Sequence, residues 1–316
     1  MRVAIIGAGI CGLYLAWKLA ERGEEATVFE KKSKIGKVVC SGLFSERILD
    51  FVPESQKLIQ NQLKYCLIHF PKRTLKIRFS RRFFVMSHFE LDNLVGNLAK
   101  RAGAKIILNQ PTLTPDVNIL LKQEKFERII GCDGALSETR KGLGLKDPQV
   151  RLGIQGFVPK RDNSDFVETW PTKNGFIWKI PRGGEIEYGI MEKPKEAKLI
   201  FGKFLEKNNL HLERINSALI PRSDLIIPQN PNITLCGDAA GLTKPWSGGG
   251  VIWGLTAAEI LVKNFPDFLK YQKEMRKIFL PKIIFSKIAK KLVYFLGFKF
   301  PWFLPNNFKI ESDFLV

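Results

Sequence analysis

Three glycine-rich turns, far apart in the chain, constrain what this sequence can fold into more than any other feature. The first is Gly7-Ala8-Gly9-Ile10-Cys11-Gly12, with Glu30 downstream. The second is Gly131-Cys132-Asp133-Gly134. The third is Cys236-Gly237-Asp238-Ala239-Ala240-Gly241, followed by Pro245 and Gly248-Gly249-Gly250. Each follows a short apolar run that reads as a buried parallel strand: Arg2 to Ile6, Arg128 to Ile130, and Ile233 to Leu235. After the first turn, Gly12, Ala16 and Ala20 recur at helical spacing, so one helix face is small enough to lie close on a sheet. Ala26 to Glu30 is the next strand. Strand, glycine turn, helix and a strand ending in an acid is the context in which such a glycine pattern carries meaning.

The glycines of the first turn have separate jobs. Gly7 permits the tight turn, Gly9 lets backbone approach a pyrophosphate, and Gly12 lets helix and strand sit close. The helix N-terminus offers N–H groups and the positive end of its dipole to phosphate. Glu30 is placed to accept hydrogen bonds from adenosine ribose hydroxyls. Lys31 and Lys32 beside it suggest a 2′-phosphate, but Glu30 would repel one, and they read as solvated lysines. Asp133-Gly134 alone is an ordinary turn; its place between the other two motifs gives it value. In the third turn, Asp238 can bind a ribityl hydroxyl. Gly248, Gly249 and Gly250 precede a helix, Val251 to Leu261, whose N-terminal N–H groups favour negative charge on a reduced ring. The three turns therefore outline a site for FAD. The competing reading is a set of strand–helix turns with glycines for packing alone.

Between the motifs, Cys66 to Phe70 and Thr74 to Phe79 read as paired strands, and Leu91 to Ala102 as an amphipathic helix stopped by Gly103. Lys105 to Leu108 is a further strand. From Val150 to Ile190 short strands alternate with turns at Asn174-Gly175 and Gly183-Gly184, and residues 195–217 read as a helical excursion. The expected fold is α/β: a Rossmann-like FAD-binding domain, an interwoven, mostly antiparallel β-sheet substrate domain, and a C-terminal helical segment. The expected divisions are 1–150 (first part of the FAD domain, with a strand excursion at 64–87), 151–225 (substrate domain), 226–262 (second part of the FAD domain) and 263–316 (basic amphipathic segment).

With 316 residues the chain can bury a sizeable core. Lys+Arg outnumber Asp+Glu 50 to 31, for a formal net charge of +19, which favours an anionic partner. No nucleic-acid-binding motif is present, so nucleic acid ranks last. Cys11, Cys40, Cys66, Cys132 and Cys236 have neither metal-ligand nor disulfide-framework spacing, which predicts no metal and a reducing compartment. The first strand begins at Arg2, leaving no room for a signal peptide, and no apolar run reaches the roughly 20 residues that span a bilayer. The expected location is cytoplasmic, or peripheral on the inner face of the membrane.

The tail supplies the reason for that last clause. The stretch from Lys270 to Lys299 holds nine basic residues and one acid, Glu274. On a helix, Ile284, Phe285, Ile288, Leu292, Phe295 and Leu296 share a face, with Lys287, Lys290 and Lys291 on another. An aromatic stretch, Phe298 to Leu304, follows. This predicts a helix at an anionic membrane surface; the alternative is a helix packed on its own domain with lysines facing water.

At the level of motifs the chain resembles the geranylgeranyl reductase family of FAD-dependent oxidoreductases, in the glutathione-reductase-like, p-hydroxybenzoate-hydroxylase-type superfamily. Glu30-Lys31-Lys32 through Ile35-Gly36 leads into Val39-Cys40-Ser41-Gly42, which resembles that family's Cys-x-Gly segment. Gly237 to Gly241, Pro245 and Gly248 to Gly250 resemble its flavin loop. Phe176-Ile177-Trp178-Lys179-Ile180-Pro181 resembles its Tyr-x-Trp-x-Phe-Pro motif. The resemblance covers roughly residues 1–258. It implies saturation of isolated double bonds in an isoprenoid (geranylgeranyl) lipid or diphosphate, by hydride from flavin reduced by NAD(P)H or ferredoxin. It places Cys40 at the flavin as the catalytic candidate, and Phe176, Trp178, Pro181 and Trp246 along an apolar substrate path. An ordinary sheet core also explains Phe176, Trp178 and Pro181. The chain departs from the pattern at His88, where the superfamily often has Arg, and at Phe176 and Ile180. Its Phe-x-Trp-x-Ile-Pro is one residue from the Trp-x-Trp-x-Ile-Pro of flavin-dependent halogenases, and the chain is short for the reductases. The alternative activities are a flavin-dependent monooxygenase or epoxidase, a halogenase ranking below these, on an apolar substrate. From a different class, a lipid-binding flavoprotein without turnover remains.

Overall fold

The computed structural model describes residues 1–110, 126–311 and 313. Residues 111–125, within the first expected domain, and the last residues of the C-terminal segment lie outside the description. Among the described residues the strands are β1 (Arg2–Ile6), β2 (Glu25–Phe29), β3 (Leu43–Ser45), β4 (Ile59–Phe70), β5 (Arg73–Met86), β6 (Lys105–Ile107), β7 (Arg128–Gly131), β8 (Val150–Val158), β9 (Phe166–Pro171), β10 (Phe176–Pro181), β11 (Ile186–Glu192), β12 (Glu213–Pro221), β13 (Ile233–Leu235) and β14 (Asn307–Ile310). The chain divides into two compact units. The first holds residues 1–37, 89–149 and 221–283; the second holds 38–88, 150–220 and 284–316.

The first unit is built on a five-stranded sheet in the order β13-β7-β1-β2-β6, with every neighbouring pair parallel. Val3, Ala4 and Ile5 of β1 are fully buried. A parallel strand is covered on both faces, which is why these strands are continuous apolar runs rather than alternating ones. From β1 the chain moves to β2 on one side and later returns to β7 on the other. That reversal of strand order is where ligands sit in open parallel sheets, beyond the carboxyl ends of the strands. The helix Ile10–Glu21 lies against the helix Val251–Asn264, and the Tyr14 hydroxyl donates to the Glu259 carboxylate.

The second unit carries a sheet of nine strands ordered β12-β8-β11-β10-β9-β4-β5-β14, with β3 also on β5. The pairs β4–β9 and β5–β14 are parallel; β3–β5, β4–β5, β8–β11, β9–β10 and β10–β11 are antiparallel. Along β10 the side chains alternate. Trp178 and Ile180 join a core with Leu63, Cys66, Phe83, Val85, Val167 and Met191. Ile177 points the other way, into a cluster with Ile186, Ile190 and with Ala197 and Phe201 of the helix Pro194–Lys207.

Three local outcomes differ from the sequence expectation. The paired strands at 66–79 extend to Ile59 and Met86. The helical excursion ends at Lys207 and gives way to β12, because Asn209 takes a left-handed conformation (φ 50°) that stops the helix. The aromatic tail does not end the fold: β14 follows it and pairs with β5.

Candidate functional site

In the first unit the three glycine turns leave the carboxyl ends of the adjacent strands β1, β7 and β13, and they touch. Gly7 (φ 103°) lies so close to the second turn that a Cβ on it would stand 2.5 Å from the Cys132 carbonyl oxygen. A Cβ on Gly12 would overlap the Gly7 carbonyl and press on Cys132. The Sγ of Cys11 fills the space beside Gly237 and Gly254, within 2.7 Å and 2.5 Å of where their Cβ atoms would be. Each turn thus contributes one cysteine to a buried contact of Cys11, Cys132 and Cys236. A hydrogen bond with Cys236 and burial hold the Cys11 thiol well above its ordinary value. These sulfurs pack as small apolar groups.

Gly9 differs from its neighbours: nothing stands within 4 Å of a Cβ built there. It caps the helix Ile10–Glu21, and no side chain caps that helix end. The helix Val251–Asn264 likewise begins at Gly250 without a side-chain cap. A helix start must satisfy its first N–H groups. Two glycine-led helix starts without a side-chain cap fit a ligand carrying phosphate. Asp238 Oδ2 lies 3.6 Å from Lys37 Nζ, and its Oδ1 is 2.7 Å from where a Gly250 Cβ would be, so Gly250 admits no larger residue without displacing that carboxylate.

Glu30 accepts N–H groups from Ala8 (2.8 Å) and Lys32 (3.0 Å). Each carboxylate oxygen retains a second lone pair, so the carboxylate is oriented rather than used up. Asp133 is engaged within its own turn: it accepts from the Ser137 hydroxyl (2.5 Å) and from the Thr139 N–H and hydroxyl (2.9 and 3.1 Å). Arg140, which follows this turn, is fully buried and donates to the carbonyls of Ala135 and Ala239, both at 2.8 Å, and to Asp147. It ties the second turn to the third. Gly248 sits at φ 70°, Gly249 lies in the same loop, and half-buried Trp246 stands edge-on to Trp253 at 6.1 Å.

The remaining expected residues lie in the second unit. Cys40 is half-buried in a turn with Ser41 and Gly42. The Gly42 N–H points to Cys40 Sγ (3.5 Å), and Met86 N–H donates to the Gly42 carbonyl (2.9 Å). Gly42 has φ 61°, and a Cβ there would overlap Met86, which explains the glycine of the Cys-x-Gly segment. Gln155 Nε2 reaches the Cys40 carbonyl (3.4 Å), and Arg182 donates to the Ser41 carbonyl (2.7 Å). Arg182 also binds Glu187, with Nε at 2.9 Å and a terminal nitrogen at 2.6 Å. Glu187 accepts Trp178 Nε1 at 2.9 Å. The Trp178 indole lies over Gly189, its cross-strand partner, where no Cβ could fit. Phe176 stands beside it, ring centres 6.0 Å apart, and Pro181 is buried.

A buried Glu187–Arg182 pair therefore joins the Cys40 turn to the Trp178 strand. Burial pushes the Glu187 carboxyl above its ordinary value, against the pull of Arg182 and Trp178. The sequence reading did not single out Arg182, Glu187 or Gln155. The available signal was a lone acid in the apolar run Ile186 to Met191. His88 is buried, with its ring edge-on to Phe44 at 5.7 Å.

Comparison with known proteins adds four findings. Residues 5–50 match the model of an NAD(P)-binding Rossmann-like domain. The chain is 25% identical to a digeranylgeranylglycerophospholipid reductase of Thermoplasma volcanium, over 92% of this chain and 86% of that protein. It is 23% identical to a kynurenine 3-monooxygenase of Christiangramia forsetii, over 82% and 71%. Its fold superimposes on a geranylgeranyl bacteriochlorophyll reductase-like protein of Thermoplasma acidophilum with a TM-score of 0.77 at 21% identity, covering 92% of this chain and 86% of the other. By sequence, the chain is a homologue of proteins named digeranylgeranylglycerophospholipid reductase, and it shares the fold of the geranylgeranyl bacteriochlorophyll reductase-like protein.

Proposed function

We propose that the chain is an FAD-dependent reductase that saturates carbon–carbon double bonds of an isoprenoid (geranylgeranyl) lipid or diphosphate. The observation that carries this reading is the meeting of three glycine turns at the ends of β1, β7 and β13, in a chain whose relatives reduce such lipids by name. When bound, FAD would supply the hydride for the double bond; the protein supplies binding, orientation and exclusion of water. In this reading Gly7, Gly9 and Gly12 and the Ile10 helix start hold the pyrophosphate, and Glu30 holds the adenosine ribose. Asp238 holds the ribityl chain, with Gly248, Gly249 and Gly250 and the Val251 helix start facing the ring. Asp133 shapes the turn beside them. Cys40 is the group proposed at the reacting end. Phe176, Trp178, Pro181 and Trp246 offer apolar surface to substrate. The Trp178 N–H is committed to Glu187.

The electron donor in this reading is NAD(P)H or ferredoxin. An anionic membrane surface on the cytoplasmic side is the partner of the C-terminal segment; among the described residues no helix is long and apolar enough to cross a membrane. The test is anaerobic. Protein loaded with FAD and chemically reduced is mixed with digeranylgeranyl glycerophospholipid or geranylgeranyl diphosphate, and the flavin spectrum and product mass are followed. Reoxidation with products heavier by pairs of hydrogens is expected. A flavin that stays reduced until oxygen is admitted, followed by an oxygenated product, would replace this reading with the monooxygenase that the kynurenine 3-monooxygenase relative represents.

A further inference from the structure

The C-terminal helix Phe268–Lys299 is apolar on two sides over its second half. One side is occupied. Val293 and Leu296 pack with Phe70, Leu75 and Leu304 of the second unit. Gly297 receives the Phe70 ring where a Cβ would overlap it. The Tyr294 hydroxyl donates to the Gly175 carbonyl at 2.8 Å. Leu296 thus turns inward, away from the other apolar residues that the sequence placed on its face. The outer residues, Ile284, Phe285, Ile288, Leu292 and Phe295, are each more than half exposed and fall within about a third of the circumference at 3.6 residues per turn.

Beyond the helix the turn Pro301–Phe303 continues the same surface. Phe295 meets Phe300 (5.8 Å between ring centres), which meets Trp302 (5.8 Å) and Phe303 (6.4 Å). Trp302 is 62% exposed and Phe303 71%, whereas Pro301 and Leu304 on either side are buried. The turn is fixed from behind. Arg73 donates to the Pro301 carbonyl (2.7 Å) and to the Asn306 side chain (2.8 Å), and β14 then pairs with β5. Lys282, Lys287, Lys290, Lys291 and Lys299 lie on the same stretch, and residues 281–310 contain no acid.

We propose that the outer face from Ile284 to Phe295 and the Phe300–Phe303 turn form one preformed docking platform for a bilayer containing anionic lipid. The helix lies along the headgroup boundary, Trp302 and Phe303 enter among the acyl chains, and the lysines meet anionic headgroups. An exposed apolar surface of this extent calls for a partner. Charge selects which: a second copy would set the same lysines against each other in a chain of net charge +19, while an anionic surface complements them. Because the inner side of the helix is already packed, binding needs no folding of the helix. The inference rests on reading the C-terminal segment as the face toward a membrane, not on the reaction.

The test uses the full-length protein and saturated lipids that contain no isoprenoid, so its outcome is separable from catalysis. Cosedimentation is measured with vesicles of phosphatidylcholine, with and without phosphatidylglycerol, at low and high salt. Binding is expected to phosphatidylglycerol-containing vesicles, to weaken with salt, and to leave the far-ultraviolet circular dichroism unchanged. Trp302→Ala/Phe303→Ala should weaken binding at least about tenfold with an unchanged melting temperature. In the unaltered protein, brominated lipid should quench a component of tryptophan fluorescence that Trp302→Phe removes. Equal binding to both vesicle types, or no quenching assigned to Trp302, would overturn the proposal. So would a dimer, seen by sedimentation velocity and abolished by Ile288→Glu, in place of vesicle binding.

Discussion

Replacing Glu187 with Ala tests whether the buried pair holds the Cys40 turn and the Trp178 strand together. The Glu187 side chain is fully buried and that of Arg182 is 7% exposed. The substitution removes both carboxylate bonds of Arg182 and the carboxylate that accepts the Trp178 indole N–H. Arg182 keeps Gln60 (2.8 Å) and the Ser41 carbonyl, but its charge is left buried without a counter-ion. Breaking a buried pair in this way costs about 3–5 kcal/mol. At about 2–4 °C per kcal/mol for a unit of this size, the melting temperature should fall by about 6–20 °C. The assay is thermal and urea unfolding followed by tryptophan fluorescence and near-ultraviolet circular dichroism. A double variant, Arg182→Leu/Glu187→Leu, should recover most of the loss, because removing both charges removes the desolvation cost as well. A Glu187→Ala protein as stable as the wild type, or a double variant no better than the single one, would refute the reasoning.

The same carboxyl gives a pH dependence. Its folded-state value is raised above the ordinary 4.5 by burial, so its contribution to stability is present below that value and is lost as pH rises through the raised one. Relative to Glu187→Gln, the wild type should lose stability as pH increases from about 4.5, as measured by urea midpoints across that range. Gly12→Ala drives a Cβ into the Gly7 carbonyl; the protein should lose flavin on gel filtration, whereas Gly23→Ala, at an open position of positive φ, should cost stability but retain flavin. Cys40→Ala should lower turnover by about tenfold or more, about 1.4 kcal/mol of barrier, with flavin content unchanged; full activity would remove Cys40 from the proposed chemistry. Burial pushes the Cys66 thiol up to about 12, so brief alkylation of the native protein at about pH 8 should leave Cys66 unlabelled by mass spectrometry while half-buried Cys40 reacts.

Much of this protein follows from local rules that a sequence displays directly. Gly7 with its positive φ, the closeness of Gly12 to its strand, and the continuous apolar runs of β1, β7 and β13 are backbone and burial requirements met within a few residues, so they were legible without a structure. So was a basic, apolar helix near the C-terminus. What tertiary structure decided are the pairings between distant residues. It brought Cys11, Cys132 and Cys236 of three separate turns into contact, and gave Asp133 to its own turn. It matched Glu187 with Arg182 across a hairpin and against Ser41 from another part of the chain. It turned Leu296 inward while leaving Phe295 outside, because Phe70 and Leu75 occupy one side of that helix and nothing on the helix itself says which side that is. Helical and strand periodicities specify which residues share a face; only the packed fold specifies what each face meets.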